Sequence, residues 1–132
     1  MRRIVYLSRS LVQADDAVLD AIVDVSVRRN AAVGVGGILW SGKGEFVQAL
    51  EGGHDEVQAT LQRIAVDVRH TDLQIICDCT VQSRMFGAWA MVRSDQRVEC
   101  TMGTAYLFGY LAEQRSPAAR RVVEVLLQHD DR

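Results

Sequence analysis

The side chains best placed to do chemistry are a phenol and a carboxamide on two strands. Strand alternation puts Ile4, Tyr6 and Ser8 on one face near the start of the chain, and Phe46, Gln48 and Leu50 on one face further on. If those faces are covered by helices, Tyr6 and Gln48 sit in an apolar layer and each must find a hydrogen-bond partner. A buried Tyr is commonplace, whereas a buried Gln asks for an explanation. Asn30 ends the first amphipathic stretch, where Asn serves as a C-terminal cap; its donor and acceptor also match the adjacent N–H and carbonyl of a planar heterocycle. Arg63, Asp67 and His70 recur at i, i+4 and i+7, a spacing that gives either a solvated ion-pairing edge or a ligand set. Trp89 and Met91 share a face of a late strand and read first as core.

Other groups carry less. Cys77 and Cys79 point their sulfurs to one face, with His54 or His70 as further donors, but a zinc site needs three or four ligands at recognisable spacing. Two small buried thiols are the simpler reading, and no metal is expected. His54, His70 and His129 accompany no nucleophile-elbow motif, which argues against a serine or cysteine hydrolase. At this point an acylphosphatase-type enzyme using Arg63 or Asn30 stays open.

These residues have to be positioned by a sheet and its helices. Residues 3–8 are apolar and β-prone, and from Asp15 to Asn30 the period changes, with Val18, Ile22 and Val25 on one helical face. Asp15 and Asp16 suit the positive end of that helix, and Arg28 and Arg29 the negative end. Strands at 33–40 and 45–50 flank Ser41-Gly42-Lys43-Gly44, a hairpin turn. The glycines before the first of these strands fail the phosphate-loop spacing and read as a strand that something approaches closely. Val57, Leu61, Ile64 and Val68 predict a helix over 55–69, followed by strands near 73–82 and 86–92. Residues 95–111 read as a helix, and Ser116-Pro117 opens another. The order implies an α+β, ferredoxin-like βαββαββ sheet with two helices on one face and a C-terminal two-helix cap on the other.

Composition bounds the function. The chain has 132 residues, 15 basic and 17 acidic, so one domain is expected and no cationic field is available for nucleic acid. The N-terminus lacks a signal-peptide pattern, no apolar run reaches membrane-spanning length, and three Cys match no secreted disulfide framework. A cytoplasmic protein with reduced thiols, and without membrane attachment, is expected.

Across residues 2–92 the chain resembles the BLUF family of flavin-binding blue-light sensors. The likeness rests on Tyr6-Leu7-Ser8, on Asn30 before Gly34, and on Gly37. It continues through Phe46-Val47-Gln48-Ala49-Leu50-Glu51-Gly52, Arg63-Ile64 with Asp67, Arg69-His70, and Trp89-Ala90-Met91. The resemblance implies a noncovalent flavin, usually FAD with FMN or riboflavin as variants, between the two helices. Asn30, Arg29, Gln48, Arg63, Asp67 and His70 then bind the flavin, and Tyr6, Gln48, Trp89 and Met91 form the photoactive group. Tyr6 would donate an electron and a proton, and the Gln48 amide would rearrange. The chain departs from the family at Arg29, Gly36 and Ala90, where Asn or His, Thr, and Ser are frequent.

On this reading residues 1–93 form the flavin-binding domain and 94–132 a helical cap within the same unit. The protein would be a photoreceptor and not an enzyme. It would signal in trans to an effector protein and self-associate through the terminal helices. The rivals are the acylphosphatase-like enzyme and a flavin-binding protein that ignores light.

Overall fold

The computed structural model describes residues 1–12, 15–86, 91–93, 100–114 and 116–130. Strand β1 spans Arg2–Ser10, helix α1 Asp16–Val33, strand β2 Gly36–Gly42 and strand β3 Glu45–Gly52. Helix α2 spans His54–Ala65, strand β4 His70–Thr80, strand β5 Val92–Arg93, helix α3 Cys100–Ala112 and helix α4 Pro117–Asp130. The sheet order is β4-β1-β3-β2-β5, antiparallel except for the parallel β2/β5 pairing. This is the expected α+β, ferredoxin-like arrangement with its added strand.

Two cores lie on opposite faces of the sheet. Ile4, Tyr6, Phe46 and Leu50 pack with Leu19 of α1 and Val57 of α2. Val5, Leu7, Trp40 and Val47 pack with Leu107 and Leu111 of α3 and with Val122 and Leu126 of α4. Strand alternation thus sorts each strand's residues between a helix pair below and a helix pair above. The excess aromatics of α3 turn inward as well: Tyr106, Phe108 and Tyr110 pack against the second core, and Tyr110 donates to the Ile76 carbonyl at 3.3 Å.

Several boundaries differ from expectation. Helix α1 continues past Asn30 through Ala31, Ala32 and Val33, because alanines extend a helix readily and the stop is Gly34 at φ 70°. Its last turn therefore holds no basic residue, and Gly34, not Asn30, is the left-handed cap. Asp15 caps the other end, accepting from the Val18 amide at 2.9 Å. Helix α2 ends at Ala65, short of the expected 69. Asp67 accepts from the Arg69 amide at 2.9 Å, a local turn that competes with helix continuation and leaves Val68 on the surface. Asp67 and His70 are consequently off the helix. Ser41 and Gly42 belong to β2, and the turn is Lys43-Gly44, both with positive φ, the geometry of a two-residue type I′ hairpin.

Of the strand expected near 86–92, residues 87–90 lie outside the described residues. The Met85 and Phe86 amides donate to the Glu51 carboxylate and not to a sheet ladder, and the described part of β5 is Val92–Arg93. Ser116 caps α4 as expected, accepting from the Ala119 amide at 3.1 Å. The start of the expected helix at 95 lies outside the described residues; from Cys100 the helix is present. Among the described residues no helix is long and apolar enough to cross a membrane.

Candidate functional site

Tyr6 and Gln48 are directly opposite one another in the β1/β3 ladder, on the face covered by α1 and α2. Both are almost fully buried, as is Met91. The Tyr6 hydroxyl donates to Gln48 Oε1, and Gln48 Nε2 donates to Met91 Sδ at 3.3 Å. The buried carboxamide therefore has a partner at each end, a phenol on its acceptor side and a soft thioether on its donor side. Burial, reinforced by the negative charge of Asp67, pushes the Tyr6 phenol above its ordinary range, so it stays neutral and remains a donor.

Gly37 makes room for this arrangement. A Cβ there would lie 2.8 Å from Met91 Cε and 2.5 Å from the Ala49 carbonyl, the close approach foreseen for the glycine-rich strand. His70 braces the side of the site. Its Nε2 lies 2.6 Å from the Ile64 carbonyl and its Nδ1 2.7 Å from the Ser8 hydroxyl. A carbonyl only accepts, so Nε2 carries the proton and Nδ1 accepts from Ser8, tying the exit of α2 to β1. The His70 ring stands 6.3 Å from the Tyr6 ring.

A cleft between α1 and α2 leads down to Tyr6 and Gln48. Its inner hollow, about 430 Å³, has Ile22, Leu39, Phe46 and Ile64 as apolar walls and Tyr6, Gln48 and His70 as polar groups. Its outer hollow, about 400 Å³, is lined by Arg29, Asn30, Thr60 and Arg63. Ser26, Ile64, Asp67 and Arg69 border both, so the two adjoin. An apolar slot with polar groups at its end suits a planar heteroaromatic ring.

Asn30 is buried beside this outer hollow, and Gly34 is the cap of α1. Arg63 Nη2 donates to Thr60 Oγ1 at 3.4 Å. The carboxylate of Asp67 is gripped by Arg69, whose Nη2 lies 2.5 Å from Oδ2, and not by Arg63. That contact holds Asp67 down to about 2. Arg69 was part of the recognised motif but not of the expected site; the Asp-x-Arg spacing of a tight turn was the signal for it. Trp89 lies outside the described residues.

Cys77 and Cys79 share a face, with sulfurs 3.6 Å apart and no disulfide, but they point to the α3/α4 side, away from the cleft. Among the described residues no group of three or more His, Cys, Asp or Glu is arranged to hold a metal ion.

Comparison with known proteins agrees with this geometry. The family described as BLUF, "Sensors of blue-light using FAD", matches residues 1–92. The photoactivated adenylate cyclase subunit beta of Euglena gracilis is 32% identical over 97 residues, 73% of this chain and 11% of that protein. The corresponding subunit of Euglena longa is 29% identical over 93 residues, again 11% of its length, so the chain spans about a tenth of these relatives. A bacterial light-regulated adenylyl cyclase superposes with TM-score 0.65 at 28% identity, over 94% of this chain and 35% of that one. The dark-state structure of BlrB, a BLUF protein, shares the fold at TM-score 0.66 and 23% identity, over 98% of this chain and 96% of that one. With a family match that takes in both cleft helices, the strands between them and the Tyr6–Gln48–Met91 relay, the chain belongs to the BLUF family of blue-light sensors that use FAD.

Proposed function

We propose that this chain is a blue-light photoreceptor that holds FAD in the α1/α2 cleft, switches through Tyr6 and Gln48, and signals to a separate effector protein. BLUF domains are photosensors, which removes the acylphosphatase-type reading. The observation that carries the proposal is the buried Tyr6–Gln48–Met91 relay at the floor of the cleft. FAD, with FMN and riboflavin as its shorter forms, is favoured because the outer hollow sets the guanidiniums of Arg29, Arg63 and Arg69 against one carboxylate, Asp67. That excess of positive charge suits a phosphate-bearing tail.

When bound, the flavin supplies the absorption of blue light and, once excited, an acceptor for one electron. Everything else falls to the residues. Asn30 offers a donor and an acceptor to a ring edge, and His70 holds the α2 wall against β1. Tyr6 is the electron source, and its phenolic proton is already directed at Gln48 Oε1. Gln48 takes that proton, its amide rearranges, and electron and proton return to Tyr6, so both residues end chemically unchanged. What differs is which end of the carboxamide faces Tyr6 and which faces Met91. A carboxamide suits this because its two ends are nearly equal in shape and opposite in hydrogen-bonding sense. The changed contacts bias the sheet against α3 and α4, where we place the contact with the effector and with a second copy of the chain.

The test is the visible absorption spectrum of the purified protein in darkness and after blue light. A yellow protein with a small reversible red shift is the expected result, and Gln48→Leu should keep the flavin and lose the shift. Flavin bands that ignore light would leave a light-independent flavin binder, and failure to take up flavin on reconstitution would overturn the proposal.

A further inference from the structure

The ladder that carries Tyr6 and Gln48 carries a second matched pair three residues away. Arg3 is opposite Glu51 in the same β1/β3 register, and the odd offset sends this pair to the other face of the sheet, under α3. Both side chains are buried, and Arg3 Nε donates to Glu51 Oε2 at 2.7 Å. The free ends of the pair reach out of the ladder in two directions. Glu51 accepts from the Met85 amide at 2.9 Å and the Phe86 amide at 2.8 Å, holding the backbone there. Arg3 Nη1 donates to the Tyr106 hydroxyl of α3 at 3.0 Å, and the guanidinium lies 5.0 Å from the centre of the Tyr106 ring and 5.6 Å from that of Phe86.

Resting on the photoreceptor reading above, we infer that the Arg3–Glu51 pair is the coupling element between the Gln48 relay and the cap. A buried charge cannot leave its partner without stranding the other, so Arg3 and Glu51 move as one unit. That unit is joined to the relay through the β1/β3 ladder. The same two strands hold Tyr6 and Gln48. Among the described residues its hydrogen bond to the cap is to Tyr106. A rearrangement at Gln48 that shifts β1 against β3 is thereby passed through the sheet to α3. Arg3 and Glu51 are positioning residues in this scheme, since neither faces the cleft.

The experiment is amide hydrogen exchange on the full chain reconstituted with FAD, dark and under blue light, with the absorption shift recorded on the same samples. In the parent, light should change exchange in α3 by roughly fivefold or more, the lower end of ordinary coupling between sites. Tyr106→Phe should keep the full red shift and reduce that difference, and Tyr106→Leu, which also removes the ring beneath the guanidinium, should abolish it. A purely structural role predicts that the variants keep the parent's light-minus-dark difference. That result would overturn the inference, as would a parent that shifts its spectrum with no change in α3. Should Tyr106→Leu loosen α3 already in darkness, Tyr106→Phe decides. A parent without any red shift would instead overturn the photoreceptor reading, and the coupling with it.

Discussion

At Tyr6 the decisive fact is burial, which keeps the phenol neutral and aims its proton at one acceptor, Gln48 Oε1. Tyr6→Phe removes that donor while keeping the ring's volume, so flavin uptake should persist and the light-induced red shift should vanish in difference spectra. Asp67 is the other polarised group. Contact with Arg69 depresses its pKa in the folded chain to about 2. The sign follows directly: the pair's contribution to stability is complete above the carboxylate's ordinary value of about 3.9 and fades as pH falls toward the folded value. Asp67→Asn should therefore be less stable than the parent at neutral pH, with the gap closing between about pH 4 and pH 2 in acid-unfolding curves. Cys77 behaves oppositely, since burial, with the neighbouring Cys79 thiol, pushes it up to about 11. In the native protein it should react slowly with iodoacetamide at neutral pH, and its labelling should rise sharply on unfolding.

Among the elements, α1 gains its length from a single glycine. Gly34 stands at φ 70°, and a Cβ there would meet nothing within 4 Å, so the cost of Gly34→Ala is conformational alone. About 1 kcal/mol of stability should be lost, as measured by denaturant unfolding. The exit of α2 follows a different rule. Its apolar spacing runs on to Val68, but the Asp67 carboxylate takes the Arg69 amide, and this local bond outcompetes another helical turn. Between the strands the Arg3–Glu51 pair works as a rivet. Glu51→Ala would leave the Arg3 guanidinium buried without its carboxylate, and a loss of roughly 3–5 kcal/mol is expected. Glu51→Gln, which keeps acceptor geometry for Met85 and Phe86, should cost less in the same unfolding experiment.

For the molecule as a whole, the sheet is covered on both faces, and the cap is half of that covering. Ending the chain at residue 93 would uncover Val5, Leu7, Ile38, Trp40 and Val47. The shortened protein is expected to associate through that face and elute as a large species in size-exclusion chromatography, where the full chain gives a discrete one. The three-layered plan, the hairpin and the separation of Tyr6 and Gln48 from Val5 and Val47 were legible in the sequence. They depend on periodicity, and the alternation of a strand or the repeat of a helix is local. The candidate site was legible as a set of residue types in an order, which suffices to name Tyr6, Asn30, Gln48 and Asp67. Partners were not legible. Asp67 pairs with Arg69 and not with Arg63, Gly34 and not Asn30 caps α1, and Phe86 gives its amide to Glu51 and not to a strand. Each of these is a competition between alternatives of similar local energy, settled by distances and burial that arise only when the strands and helices are packed together.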